Sequence, residues 1–394
     1  AYDYNILHET FNYGIGAQYM INKGNYITAD CYADHFSSSY CFFKDNKTYN
    51  GKAGEEQVRK RTRNHNLSIK GIFKLGNRHK LSVGTEYIVD VLKSQTDNIA
   101  KEDAYTLALF AQDEIKLLRN LQALIGVRYI YHENFKNHAT PNVALMYKPG
   151  KFNFRASYAA GFRTPTLSEL YATDIAKKND RLTIGNLDLK PEKNNYFSLS
   201  AEYVHERFSV SVNAFYNNIR DMIDYNTIAT GDKAMEQYGH KEVRQRDNIA
   251  EAKVHGINVS ANAYLGAGFN LSGGYTHLNT QDVELEQPID KSIKNAYNIN
   301  AQWAHSWKIY RLNINLNGRF NSKRFSKSYG YAPEYQLWDL NTRHSFNLKS
   351  VIIEPGCGME NLFDYMDDRP YNSNYATLTP GRSFYISLSL KFKS

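Results

Sequence analysis

Cysteine is scarce. Cys31, Cys41 and Cys357 are the only three in 394 residues. An odd count excludes full internal disulfide pairing, and no CxxC or zinc-ligand spacing is present. Cys31 and Cys41 fall in one predicted extended segment, too far apart along a strand to bridge, so all three are read as structural. Long apolar runs are also missing. Hydrophobic residues make up 42% of the chain and mean hydropathy is −0.59, so no membrane-crossing helix is expected. No charged and apolar leader stands at Ala1, as expected of a mature exported chain or a fragment. There is no GxSxG, HExxH, P-loop or dinucleotide fingerprint. No nucleophile with a paired base stands out, so no enzymatic activity is expected. Charge is only mildly one-sided, with 48 basic against 40 acidic residues. The excess is dispersed, which speaks against nucleic acid and suits anionic ligands or lipid phosphates.

Aromatics are abundant. They reach 14% of the chain, with 31 tyrosines, more than a soluble core needs. Rings of amphipathic aromatics at two membrane interfaces would need that many. Period-two alternation dominates the pattern. Phe208, Val210, Val212, Ala214 and Tyr216 share one face of a predicted strand, and Ser209, Ser211 and Asn213 the other. Leu312, Ile314 and Leu316 alternate with Asn313, Asn315 and Asn317. Phe384, Ile386, Leu388, Leu390 and Phe392 alternate with Ser383, Tyr385, Ser387, Ser389 and Lys391. The polar face carries Ser, Asn, Gln and Arg in strand after strand, as a wet lumen would.

Connections alternate in length. Tight turns are predicted at residues 22–25, 76–79, 118–120, 148–151, 205–208, 265–268 and 305–308 and near Lys349. Longer loops are predicted around 42–57, 95–103, 133–139, 162–193, 219–246, 281–293, 324–334 and 362–380. Short turns at one end and long loops at the other are the outer-membrane barrel pattern. The reading is an all-β, transmembrane antiparallel β-barrel in the outer membrane of a Gram-negative bacterium. The whole chain, 1–394, is read as barrel region. About seventeen strands of roughly ten residues are predicted. Both end strands point to the periplasm, so an odd number of strands is expected upstream, about five if the barrel is of the roughly 22-stranded plugged type. One helical turn is predicted at residues 167–172.

An ordered set of segments then carries a resemblance. It runs through residues 107–115 (LALFAQDEI), 126–129 (GVRY), 155–171 (RASYAAGFRTPTLSELY), 186–192 (NLDLKPE), 216–223 (YNNIRDMI), 256–258 (GIN), 361–364 (NLFD) and 380–384 (PGRSF) to Phe392. The set resembles the C-terminal barrel region of TonB-dependent outer-membrane receptors. The resemblance implies import of a scarce ligand, driven through the TonB–ExbB–ExbD complex. It also implies an N-terminal plug domain that this sequence does not contain. No resident cofactor is implied; haem, a ferric siderophore or another metal chelate would be cargo. Cobalamin is an alternative cargo, and a passive pore or adhesin an alternative function. A surface lipoprotein is a further candidate partner, beside lipopolysaccharide and other outer-membrane lipid.

Phe162, Arg163 and Pro165, with Asn186, Asp188 and Leu189, resemble the FRAP and NPDL boxes of haem receptors. Those receptors usually carry a haem-ligating histidine between the boxes, and residues 166–185 contain none. Both boxes are therefore read as a frame for the loop, since Pro165 blocks strand continuation. Face counting puts Arg128 and His132 toward the lumen, and His240 falls in a long loop. His132 and His240 become the candidate haem ligands. Arg163, Tyr171, Lys177, Lys178 and Arg181 join them as candidate ligand contacts. Arg59, Arg61 and Arg63 share parity with Leu67, Ile69, Phe73 and Leu75. They should point outward above the outer leaflet, where guanidinium suits lipopolysaccharide phosphate. Asn361, Leu362, Phe363 and Phe392 complete the family pattern, with Phe384 to Phe392 read as the barrel-assembly signal.

Overall fold

The computed structural model describes residues 3–176, 180–326, 330–367 and 379–393. In chain order the elements are β1 (Tyr4–Asn22), β2 (Asn25–Phe42), β3 (Glu56–Leu75), β4 (His79–Ser94), β5 (Ile99–Leu118), β6 (Leu121–His132), β7 (Lys136–Tyr147) and β8 (Phe152–Arg163). Then come α1 (Leu167–Tyr171), β9 (Thr173–Ala176), β10 (Arg181–Ile184), β11 (Glu192–Val204), β12 (Phe208–Thr230), α2 (Gly231–Tyr238) and β13 (Glu242–Gly266). The chain closes with β14 (Phe269–Asp282), β15 (Asn295–Trp307), β16 (Tyr310–Asn321), β17 (Arg324–Ser326), β18 (Gly330–Ala332), β19 (Tyr335–Asn347), β20 (Val351–Glu360) and β21 (Ser383–Phe392).

Among the described residues, four of the 21 strands, β9, β10, β17 and β18, are three- or four-residue hairpin arms, which leaves 17 long strands. The predicted number stands, and so do the eight tight turns. Strand length does not. β3 has 20 residues, β12 has 23 and β13 has 25, against about ten expected for a tilted crossing. The expected loop at 219–246 is largely strand, because β12 continues to Thr230 and β13 starts at Glu242. Its polar, charged sequence hides the strand from a hydrophobic pattern. Only a short helix, α2, joins the two. No helix among the described residues is long and apolar enough to cross a membrane.

The chain forms two compact units. One comprises residues 1–145, 158–195 and 219–251. Here β1 to β6 pair antiparallel in sequence order. At the first turn Gly24 has φ +104°, a conformation that side chains rarely adopt. Register fixes two faces. Ile15, Cys31, Leu67, Tyr87, Leu107 and Tyr131 lie in one cross-strand row. The adjacent row on the other face is Asp30, Ser68, Glu86, Ala108 and Ile130. The polar face is hydrogen-bonded across strands: Asn64 Nδ2 donates to Asp90 at 2.8 Å, Asn66 Nδ2 to Glu86 at 2.8 Å, and Arg128 to the other oxygen of Glu86. Arg128 thus lies on the lumenal face, as face counting expects.

The second unit comprises residues 146–157, 196–218 and 252–394. Within it β13 to β16 and β19 to β21 pair antiparallel in order. Asn300 Nδ2 donates to Asn315 at 2.6 Å and Asn317 at 2.5 Å. On the alternate face an aromatic group gathers at the short-turn ends. Trp303 and Trp307 are 6.1 Å apart, Trp307 and Tyr310 5.5 Å, and Tyr310 and Phe346 5.1 Å. Aromatics concentrated at strand ends are what a membrane interface selects. Asn361 is buried at a φ of +52°. Its side chain donates to the carbonyls of Tyr365 (2.7 Å) and Pro380 (3.0 Å) and accepts from the Tyr365 N–H at 2.8 Å. Leu362 N–H donates to Trp338 O at 2.6 Å, and Phe363 lies edge-on to Trp338. Phe392, the last strand residue, pairs with Val351.

Candidate functional site

The segment between β8 and β11 is the longest interruption of the first unit. Pro165 ends the strand, and Thr166 then caps α1. Glu169 N–H donates to Thr166 Oγ1 at 3.2 Å, while Thr166 N–H donates to Glu169 Oε2 at 2.8 Å. This reciprocal capping box satisfies two otherwise orphaned donors. The apolar face of the helix sits in two small clusters. Leu167 packs with Leu92, Ile99 and Ala104; Leu170 packs with Leu189 and Ile223.

Arg163 ties these pieces together. Its Nε and Nη2 donate to the two oxygens of Glu192 at 2.9 and 2.6 Å, and Nη1 and Nη2 to those of Glu169 at 2.8 and 3.3 Å. Glu192 Oε1 also accepts the Ile223 N–H at 2.8 Å. One guanidinium therefore joins the start of the loop, its helix, its end and the neighbouring strand. Burial alone would raise the Glu169 carboxyl, but hydrogen bonds from Arg163 and Thr166 prevail and hold it below its ordinary value.

The second box is a staple. Asn186 N–H donates to Glu169 O at 3.1 Å, and Asn186 Nδ2 to Arg246 O at 3.0 Å. Its Oδ1 accepts the Asp188 N–H at 2.9 Å, an Asx turn. Leu189 is buried and Asp188 exposed. Asn248 then receives the Lys190 N–H at 2.7 Å and donates to Lys190 O (2.9 Å) and Asp221 O (2.6 Å). A Cβ on Gly185 would meet Leu170 O at 2.4 Å, so the box begins where two backbones nearly touch. Phe162 stacks on His138, ring centroids 4.6 Å apart.

The other candidates separate. His132 is 6% exposed; its Nδ1 accepts the Asn134 N–H at 3.1 Å, and its ring lies 5.0 Å from Phe135. His240 Nδ1 lies 2.8 Å from Asp180 Oδ1. That contact draws the Asp180 carboxyl below its ordinary value, through its hydrogen bond to His240 first. Arg181 follows directly and pairs in register with Glu242 where β10 runs parallel to β13. His240, just before β13, and Arg181 are thus brought together where β10 begins. That hairpin packs with α2: Leu182 and Ile184 lie against Ala229, Ala234 and Val243. Tyr171 leans on both clusters around α1, and burial, then Glu102 and Glu133, push its hydroxyl pKa up. Lys177 and Lys178 lie outside the described residues.

Two cations on β13 went unmarked in the sequence, within the stretch read as loop. Arg246 lies 3.6 Å from the Tyr225 ring centroid and its Nη2 donates to the Tyr225 hydroxyl at 2.6 Å. Arg244 Nε donates to Glu242 at 2.5 Å. Their alternation with Val243, Gln245 and Asp247 was the available signal. No group of three or more metal-ligating side chains occurs among the described residues.

The sequence profile of the family described as TonB dependent receptor-like, beta-barrel matches residues 1–362. The chain belongs to this family of receptor barrels, whose setting is the Gram-negative outer membrane. A ferric enterobactin receptor of Pseudomonas aeruginosa, PfeA, is similar in structure, with a TM-score of 0.78 at 18% identity over 98% of this chain and 62% of that one. The siderophore receptor PirA of Acinetobacter baumannii matches with a TM-score of 0.75 at 16% identity, over 98% and 62%. BauA, the ferric preacinetobactin receptor of the same organism, matches with a TM-score of 0.67 at 14% identity, over 98% and 63%. The chain therefore spans less than two thirds of the length of these receptors.

Proposed function

We propose that this chain is the wall and part of the extracellular mouth of a receptor that imports a ferric siderophore. The observation that carries the reading is the match of nearly the whole chain to receptors described as siderophore receptors. In this reading a plug domain and a TonB-binding segment elsewhere in the receptor supply gating and energy. The long loops receive the cargo. The braced loop after β8 gives them a fixed floor, because ordering a loop in advance lowers the cost of binding. Arg181 and Arg246, with Tyr171 and Tyr225, supply cations and rings that suit an anionic aromatic chelate. The histidines favour haem less: His132 is buried, and His240 is engaged by Asp180.

Titration of the purified receptor with ferric enterobactin, haem and cobalamin, followed by intrinsic fluorescence and visible absorbance, tests the reading. Saturable binding of the ferric siderophore alone is expected. A Soret shift or a cobalamin complex, without siderophore binding, would overturn it.

A further inference from the structure

The apolar face of β1 to β6 ends, toward the long loops, in an aromatic collar. Tyr87 and Tyr105, and Tyr105 and Tyr131, have ring centroids 6.0 Å apart. Tyr13, His35 and His65 continue it, at 5.9 and 5.3 Å. Tyr13, Ala33, His65, Val89 and Tyr105 form one cross-strand row. The next same-face row contains Arg63 and Val91, and the one beyond it Arg61 and Lys93. At about 3.3 Å per residue, Arg63 and Arg61 lie roughly 7 and 13 Å beyond His65 along the strand. Arg61, Arg63, Lys93 and Lys101 line one groove with Val91.

Charge there is poorly neutralised. Lys101 meets Asp103 at 3.1 Å. Arg61, Arg63 and Lys93 form no ion pair among the described residues. The nearest carboxylate in the Arg61 row, Glu9, accepts a hydrogen bond from Ser37 at 3.4 Å. Arg59 does not belong to the group, against the expectation from parity. A bulge opposite Ser38 and Ser39 inserts it as an extra residue and breaks the alternation. Its guanidinium lies 4.9 Å from the rings of Tyr40 and Tyr49 and donates to Gln95 at 3.0 Å.

Cations on the lipid-facing side, just beyond an interfacial aromatic collar, stand at headgroup height. We propose that Arg61, Arg63, Lys93 and Lys101 form a phosphate-binding site for the lipid A headgroup of lipopolysaccharide. Two guanidinium forks and two ammonium groups match a headgroup of net negative charge carrying more than one phosphate, which a neutral or zwitterionic lipid does not offer. The inference rests on the membrane setting and holds for any cargo.

The test is native mass spectrometry of the receptor purified from outer membranes, with added lipid A, monophosphorylated lipid A and inorganic phosphate. Wild type should hold lipid A through detergent exchange, and loss of one phosphate should weaken it. An equal molar amount of inorganic phosphate should not displace it. The variant Arg61→Ser/Arg63→Ser/Lys93→Ser/Lys101→Ser should bind roughly two to three orders of magnitude more weakly, since each cation at an anionic lipid surface contributes about fivefold. Arg61→Lys/Arg63→Lys, which keeps the charge, should retain most binding and guards against misfolding. Arg59→Ser should bind as wild type. Unchanged affinity in the quadruple variant, equal loss in Arg59→Ser, or displacement by inorganic phosphate would overturn the proposal.

Discussion

Arg163 and the pair Arg61 and Arg63 use the same side chain in opposite ways. Arg163 faces two carboxylates within 3.3 Å, so its charge is consumed in holding a loop. Arg61 and Arg63 sit on a strand face with no ion pair among the described residues, so their charge is available to an external anion. In the sequence both look alike, as arginines at a strand end. A cation recognises a ligand best where the fold has not already neutralised it; Lys101, in an exposed and screened pair with Asp103, is the least available of its group. Arg59 differs from its two neighbours by direction and not by neutralisation: the bulge turns it onto Tyr40 and Tyr49.

The comparison can be broken first at Arg163. Arg163→Ala leaves Glu169 and Glu192 without their partner. Breaking a buried pair costs about 3–5 kcal/mol. The Arg163 side chain is 43% exposed, so solvent screening reduces the expectation to about 1–3 kcal/mol of local opening. Hydrogen exchange of residues 164–176 and 180–191 should accelerate by roughly 5- to 150-fold, while lipid A binding stays unchanged. Exchange at the wild-type rate would mean that the knot does not hold the loop. Arg163→Lys should rescue only part of the loss, because an ammonium group cannot fork onto two carboxylates.

Next comes Asn248. Asn248→Ala strips the Lys190 N–H and the carbonyls of Lys190 and Asp221 of their partner. About 1–2 kcal/mol of protection should be lost around residues 186–192, with the α1 end unaffected. If protection falls equally at both ends, the staple and the knot are one unit.

The third probe is acid. The Glu169 pKa in the folded state lies below the usual carboxylate value, near 4.5. Its contribution is therefore complete above that value and disappears as pH falls through the depressed folded pKa. Loop protection should be flat from pH 7 to about pH 5 and decline in more acidic buffer. A decline already complete at pH 5 would contradict the ion-pair account. The smallest effect is expected at the cap: Thr166→Ala should cost about 1 kcal/mol, read by the same exchange measurement near residues 167–171.

Much of the wall was legible in the sequence. The alternation in β12, β16 and β21, the eight turns and the 17 long strands all follow from a local period of two. The short helix at Leu167 was legible too, from Pro165, Thr166 and Glu169. The extensions of β12 and β13 were not, because strands beyond the apolar band need no hydrophobic face, and α2 was hidden in the same stretch. The two boxes were legible as a frame. Their partners were not, since Ile223, Arg246 and Asn248 lie 31 to 60 residues away in sequence.

The sequence by itself determined which residues alternate, where the chain turns and which family boxes it carries, because these depend on neighbours along the chain. Only the tertiary structure decided which charges remain available. Glu192 meets Arg163 across 29 residues, and a single bulge turns Arg59 onto Tyr40 while Lys93 and Lys101 come beside Arg61 and Arg63. Neutralisation depends on distance in space, and strand pairing sets that distance.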